Sequence, residues 1–95
     1  MSTIVTKVNS RSEEFLANAT HMQGLVDDLE QKVAVICKGG GDKYQQRHES
    51  RGKLLPRDRI DALVDPGSPF LELSQLAAHG VYESDVAAAG VITGI

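Results

Sequence analysis

The apolar positions of the N-terminal third recur at helical spacing. Phe15, Ala19, Met22, Val26, Leu29, Val33 and Ile36 alternate in steps of four and three, which places them on one face of an α-helix. Leu16 and Leu25 widen this stripe, and Asn18, Gln23, Asp27, Glu30 and Lys38 fall on the opposite side. The pattern predicts a helix from about Ser10 to Lys38. Ser10 and Glu13 have the spacing of a capping box, in which each side chain satisfies a free N–H of the first turn. Lys38 is expected in the last turn, where a positive charge complements the helix dipole. Gly39-Gly40-Gly41 should stop the helix, because glycine takes the left-handed cap conformation at little cost. Such a helix needs a surface to pack on.

The periodicity then weakens. Asp42 to Ser50 predicts a short helix, with Asp42 and Gln45 as a second possible capping pair. It has almost no apolar face, so its own burial cannot hold it. Gly52 should end it. Pro56 opens a third helix at the position where a missing N–H is harmless. Ile60, Leu63 and Val64 form its apolar face, and Asp65-Pro66-Gly67 closes it with a turn. Phe70-Leu71-Glu72-Leu73 reads as a strand. Residues 75–89 have no clear period. The β-branched segment Gly90-Val91-Ile92-Thr93-Gly94-Ile95 reads as a second strand, with too few partners in view, which leads to the expectation of a fragment of a longer chain.

Composition narrows the class. The chain has 95 residues, 41% of them apolar and 4% aromatic, with no Trp. A chain of this size buries only about 60–65% of its unfolded surface, so the core is expected to be small. The scarcity of aromatics argues against a stacking platform for single-stranded nucleic acid. A single cysteine, Cys37, excludes an internal disulfide framework and a Cys-paired zinc site. At a helix C-terminus the dipole opposes a thiolate, so Cys37 reads as a small buried hydrophobe. No apolar run approaches the ~20 residues of a membrane span. The first ten residues lack the charged start and apolar stretch of a secretory signal. A cytoplasmic protein that does not bind membranes is the expectation.

The net charge of −3 conceals a basic middle. Residues 1–37 carry −2, residues 38–59 carry +4 and residues 60–95 carry −5. A basic segment between acidic ones either pairs with them or binds an anion. Its bases are Lys38, Lys43, Arg47, Arg51, Lys53, Arg57 and Arg59. Arg47, Arg51 and Lys53 flank Gly52, where backbone can approach a ligand closely, and arginine forks suit phosphate. Arg57 and Arg59 fall at the positive end of the third helix, an unfavourable place that Asp58 and Asp61 partly offset. The alternative for these arginines is an ion-paired face. The triple glycine is not a phosphate loop, which requires GxxxxGK[ST] after a strand. His21, His48 and His79 lack companions at metal-ligand spacing. No nucleophile elbow or Ser-His-Asp set is visible, and no residue is a candidate for catalysis.

The segment GGGDKYQQRHESRGKLLPRDRIDALVDPGSPFLELSQLAAHGVY, followed by AAGVITGI, resembles the N-terminal region of the carboxyltransferase β subunits of biotin-dependent acyl-CoA carboxylases. Within Arg47–Glu72 the resemblance rests on a histidine, then Gly-Lys-Leu, an arginine-rich helix and Asp-Pro-Gly-Ser. The stretch Ser68–Tyr82 is similar to the methylcrotonyl and geranyl branch of that family, and Glu83-Ser84-Asp85 departs from its usual pattern. The resemblance implies an α/β protein. Residues 1–41 would be a helical arm, and residues 42–95 the opening strands of a crotonase-like carboxyltransferase domain, incomplete in this chain. It implies transfer of a carboxyl group from carboxybiotin to 3-methylcrotonyl-CoA, as in leucine degradation. The biotin would be carried by a partner subunit that also holds the biotin carboxylase. A homo-oligomer of carboxyltransferase subunits is implied, with no metal on this chain. The location implied is the cytoplasm of a bacterium or the mitochondrial matrix of a eukaryote. Arg47, Arg51, Gly52 and Lys53, with His48 nearby, become candidates for contact with the phosphates of CoA. The family's oxyanion glycines lie beyond Ile95, so the 95 residues alone are expected to be inactive. Two other classes remain open on the residues alone: a free-standing helical interaction module, and a nucleic-acid binder using residues 38–59.

Overall fold

In the computed structural model, which describes residues 1–95, the N-terminal periodicity becomes one helix, α1, Glu13–Cys37. Its start differs from the expected capping box. Ser12 is the cap: its Oγ accepts the N–H of Phe15 at 3.2 Å and donates to the Asn9 carbonyl at 2.9 Å. Asn9 Oδ1 accepts the Arg11 N–H at 3.0 Å. This Asx turn carries the chain through residues 9–12, so Ser10 lies outside the helix and Glu13 is its first residue. The end of α1 also differs. Cys37 is the last helical residue, which leaves Lys38 past the last turn. The Lys38 N–H closes on Val35 O at 3.1 Å and the Gly39 N–H on Ile36 O at 2.9 Å. Gly39, at φ +59°, supplies the expected left-handed stop.

The chain divides into two compact units, Met1–Glu30 and Gln31–Ile95. In the first, residues 1–11 are exposed, and so are all the apolar positions from Phe15 to Leu29. Within α1, Gln23 Nε2 donates to Asp27 Oδ1 at 2.7 Å, the i,i+4 spacing of neighbours on one helix face.

The second unit holds the C-terminal end of α1, two short helices and a two-stranded ribbon. Helix α2 is Asp42–Glu49 and α3 is Pro56–Leu63. Neither Asp42 nor Gln45 caps α2. Gly41 holds the cap position without a side-chain bond, and Gln45 Nε2 instead donates to the Lys38 carbonyl at 3.1 Å. That bond ties α2 back across the glycine joint. Pro56 opens α3 as expected, and the turn after it closes with Ser68 N–H to Asp65 O at 2.9 Å.

Strands β1, Glu72–Leu73, and β2, Thr93–Gly94, pair antiparallel with Glu72 opposite Gly94 and Leu73 opposite Thr93. The ladder extends outward through Leu71 and Ile95, which exchange N–H···O bonds of 2.7 and 3.1 Å. The closing segment therefore has a partner, contrary to the expectation from sequence, and only its end is strand. Gly90 belongs to a tight 3-10 turn, Ala87–Gly90. Ile36 and Ala88, each 6% exposed, are the two buried apolar residues. Cys37 is half-buried rather than buried.

That turn is strained. Ala88 and Ala89 sit at φ +48° and +51°, where an L-residue brings Cβ against the following carbonyl at a cost of roughly 1–2 kcal/mol. The turn is held by Ala89 N–H to Ala77 O at 2.9 Å and Val91 N–H to Ala88 O at 3.0 Å. Ala89 is exposed while Ala88 is buried, so Ala89 is the position where relief loses no packing. Ala89→Gly is expected to stabilise the chain by about 0.5–1 kcal/mol, the strain relief less the added freedom of the unfolded chain. An upward shift of the urea midpoint would show it, and a downward shift would refute it.

Candidate functional site

The basic segment separates into two groups with different surroundings. Arg47 and Arg51 are four residues apart, on the face of α2 and its exit that also carries Tyr44 and His48. These four side chains line an open hollow of about 400 Å³. Arg47, Arg51 and Lys53 are exposed, and none makes an ion pair within the chain. Gly52 and Lys53 follow in the loop and do not line the hollow.

That loop is folded back by short bonds to the end of α2. Ser50 Oγ donates to Arg47 O at 2.9 Å, the Arg51 N–H to His48 O at 3.2 Å, and the Gly52 N–H to Glu49 O at 2.8 Å. Gly52 has φ +72°, which a side chain would strain. His48 Nε2 lies 2.9 Å from the Leu54 carbonyl. A carbonyl only accepts, so the proton in this bond sits on Nε2. His48 is thus a clasp that fixes the Gly52 loop beside the two arginines. The sequence placed it near the candidates without revealing this task. Tyr44 was missed, although its spacing of i, i+3, i+4 and i+7 with Arg47, His48 and Arg51 was available to find it.

The second group centres on Arg57. Its Nε and Nη2 donate to the two carboxylate oxygens of Glu72 at 3.0 and 2.6 Å, and its Nη1 donates to the Cys37 carbonyl at 3.3 Å. The pair is largely shielded, with side chains 28% and 11% exposed. The hydrogen bond to Arg57, aided by its charge and partly opposed by burial, holds the Glu72 carboxyl below its usual range. The same bond raises Arg57. The guanidinium also sits at the negative end of the α1 dipole, the place expected for Lys38. Arg57 therefore joins the end of α1, the start of α3 and β1, whereas Arg59 is exposed and makes no such pair.

Beside this knot lies an open cleft of about 380 Å³. Ile36, Gly39 and Gly40 border it on one side, and Ala87, Ala88 and Ile92 on another. No group of three or more His, Cys, Asp or Glu is gathered for a metal ion, and no helix is long and apolar enough to cross a membrane. His21 and His79 are exposed.

A helical lead, an arginine-rich helix pinned by Glu72 and a strand ribbon are arranged on a sequence whose residues 47–95 match the carboxyl transferase domain, and the chain belongs to that family. Among its relatives, the methylcrotonoyl-CoA carboxylase beta chain of Arabidopsis thaliana mitochondria is 49% identical over 88 residues, 93% of this chain and 15% of that protein. The biotin-dependent 3-methylcrotonyl-coenzyme A carboxylase beta1 subunit of Mycobacterium tuberculosis is 56% identical over 71 residues, 75% of this chain and 13% of the relative. The propionyl-CoA carboxylase beta chain of Cereibacter sphaeroides is 35% identical over 78 residues, 77% of this chain and 15% of the relative. The chain thus spans about 15% of the length of the curated relatives it matches.

Proposed function

We propose that this chain is the N-terminal part of a carboxyltransferase subunit that moves a carboxyl group from carboxybiotin to 3-methylcrotonyl-CoA, a step of leucine degradation. The observation that carries this reading is the gradient of identity: 48–56% with relatives named for methylcrotonyl-CoA against 35% with a propionyl-CoA relative. Residues 1–41 are read as a helical arm and residues 42–95 as the opening of a crotonase-like domain. Biotin would arrive on a partner subunit that also carries the biotin carboxylase, and the carboxyltransferase subunits would assemble with one another. The setting would be the cytoplasm of a bacterium or the mitochondrial matrix of a eukaryote. The 95 residues alone are read as inactive.

Within that reading, Arg47, Arg51, Gly52 and Lys53 are the contacts for the phosphates of the acyl-CoA. Three unpaired cations beside a glycine at positive φ favour an anionic ligand, because their charges have no partner within the chain. The His48 clasp would keep the Gly52 backbone in place. The test is steady-state carboxylation by the complete subunit with its biotin partner. Arg51→Glu combined with Lys53→Glu is expected to raise KM for the acyl-CoA by about tenfold while kcat changes less than about twofold, since remote charge contacts bind ground and transition states alike. An unchanged KM would remove these residues from the site. A complete subunit that turns over propionyl-CoA in preference to methylcrotonyl-CoA would overturn the substrate.

A further inference from the structure

His48 is the half-buried member of the hollow, and Tyr44, Arg47 and Arg51 around it are exposed. Its ring has two nitrogens with separate tasks. Nε2 keeps its proton to hold the Leu54 carbonyl at 2.9 Å, so Nδ1 is the nitrogen left to gain or lose one. The clasp is therefore the same in the neutral and the charged ring, and protonation changes only the charge beside the two arginines. Tyr44, Arg47 and Arg51 face the ring from α2 and its exit. Cys37 and Lys38 from the end of α1, and Arg57 and Asp58 from α3, share a second hollow with it. Arg57 is spent on Glu72, so among these groups Asp58 is the single carboxylate against Lys38, Arg47 and Arg51. The surroundings are net positive, and a phosphate held by the arginines would be their counter-charge.

We infer, on the reading of Arg51 and Lys53 as phosphate contacts, that His48 is both the positioning residue of that site and its proton-dependent cation. Its Nε2–H sets the Gly52 loop through the Leu54 carbonyl, and its imidazolium form adds a charge contact to the bound phosphate. Imidazole is the side chain that ordinarily exchanges its proton between about pH 5 and 8. A phosphate beside the ring favours the imidazolium, and by linkage the imidazolium tightens the phosphate by the same factor. The acyl-CoA is accordingly held more tightly as pH falls through this range, while the loop stays clasped throughout. The ligand alone would give the opposite trend, because a phosphate monoester takes up a proton and loses charge near about pH 6.

Two substitutions separate the tasks. Glutamine can place an amide N–H where Nε2–H lies and never carries charge, whereas phenylalanine fills the ring volume and offers neither. KM for 3-methylcrotonyl-CoA is measured on the complete subunit with its biotin partner at about pH 6 and about pH 8, the two sides of the imidazole range. His48→Phe should raise KM about fivefold at both, with kcat within about twofold. In the Arg51→Glu, Lys53→Glu background it should raise KM no further, since the loop it frees then has no contact to lose. His48→Gln should recover most of this binding at the higher pH. The ratio of its KM to that of the wild type should be about threefold larger at the lower pH, the size of a partly exposed charge contact. Calorimetry of CoA binding in buffers of different ionisation enthalpy gives a readout without turnover, in which the wild type should take up more protons than His48→Gln. A KM ratio equal at both pH values, equal proton uptake, or His48→Phe and His48→Gln alike at the higher pH would each overturn the inference while leaving the phosphate contacts standing. An unchanged KM in Arg51→Glu with Lys53→Glu would instead remove the site on which it rests.

Discussion

Replacing Arg57 with Met is expected to lower the unfolding free energy by about 2–3 kcal/mol. The change removes two charge-assisted hydrogen bonds to Glu72 and one to the Cys37 carbonyl. Hydrogen bonds to charged groups are worth about 1.5–3 kcal/mol each when lost singly. The larger cost lies in what stays behind: a carboxylate with 11% of its side chain exposed and no cation. Breaking a fully buried pair from one side costs roughly 3–5 kcal/mol, and the partial exposure of Arg57 places this pair below that range. Urea unfolding followed by circular dichroism at 222 nm would measure it, and a loss below about 0.5 kcal/mol would show that Arg57 is not the tie between α1, α3 and β1.

The same pair sets an acid dependence. Glu72 is held below its usual carboxylate range in the folded chain, so the unfolded chain takes up that proton more readily. The contribution is therefore complete at neutral pH, above the ordinary carboxylate value near 4. It is lost as pH falls through the lowered value of the folded state. Arg57→Met should remove this part of the acid profile, and Glu72→Gln should do the same while retaining one hydrogen bond to the guanidinium. If the slope below about pH 4 is unchanged in both variants, other carboxylates govern acid unfolding.

Gly94→Ala is the second substitution with a large expected effect, about 2–3 kcal/mol of destabilisation. Here the cost is steric rather than conformational. A Cβ at Gly94 would run into the ring of Phe70 and the carbonyl of Leu71. The ring is the far end of a side chain and can shift, but the carbonyl is fixed because it accepts the Ile95 N–H at 3.1 Å. Forcing an extra methyl into such a contact typically costs about 1–3 kcal/mol, and the coupled loss of the Leu71–Ile95 bonds places this site at the upper end. Gly94 is also the cross-strand partner of Glu72. A shift of β2 would therefore loosen the Arg57 pair, and the double variant Gly94→Ala with Arg57→Met should lose less than the sum of the single losses. Additive losses would mean that the ribbon and the ion pair act separately. By contrast, Gly24 in α1 has open space around its Cβ position.

The limits of α2 and α3 were legible in local signals. Pro56 can only begin a helix without loss, and the three glycines can only interrupt one, so neighbouring chemistry decides these boundaries. The caps were less legible. Ser10, Ser12, Asp42 and Gln45 all carry suitable oxygens or amides, and the choice among them depends on backbone geometry. The Asx turn at Asn9 advances the chain so that Ser12 meets the Phe15 N–H. Gln45 prefers the Lys38 carbonyl because the glycine joint turns the end of α1 toward it. The strand at Thr93–Gly94 was visible as a β-branched run, but its register partners, Leu73 and Glu72, lie 20 and 22 residues away, and no local rule names a register.

The sequence alone determined the long amphipathic helix, the basic middle segment and the family, because each rests on the order and spacing of residue types. Only the tertiary structure decided which bases are free and which is spent. Arg47, Arg51, Arg57 and Arg59 carry the same charge and the same fork in the sequence. Arg57 alone comes within hydrogen-bond reach of Glu72 and the Cys37 carbonyl, residues 15 and 20 positions away in the chain. An ion pair depends on distance and shielding in three dimensions, and neither quantity is carried by sequence spacing once the chain has turned through two glycine joints.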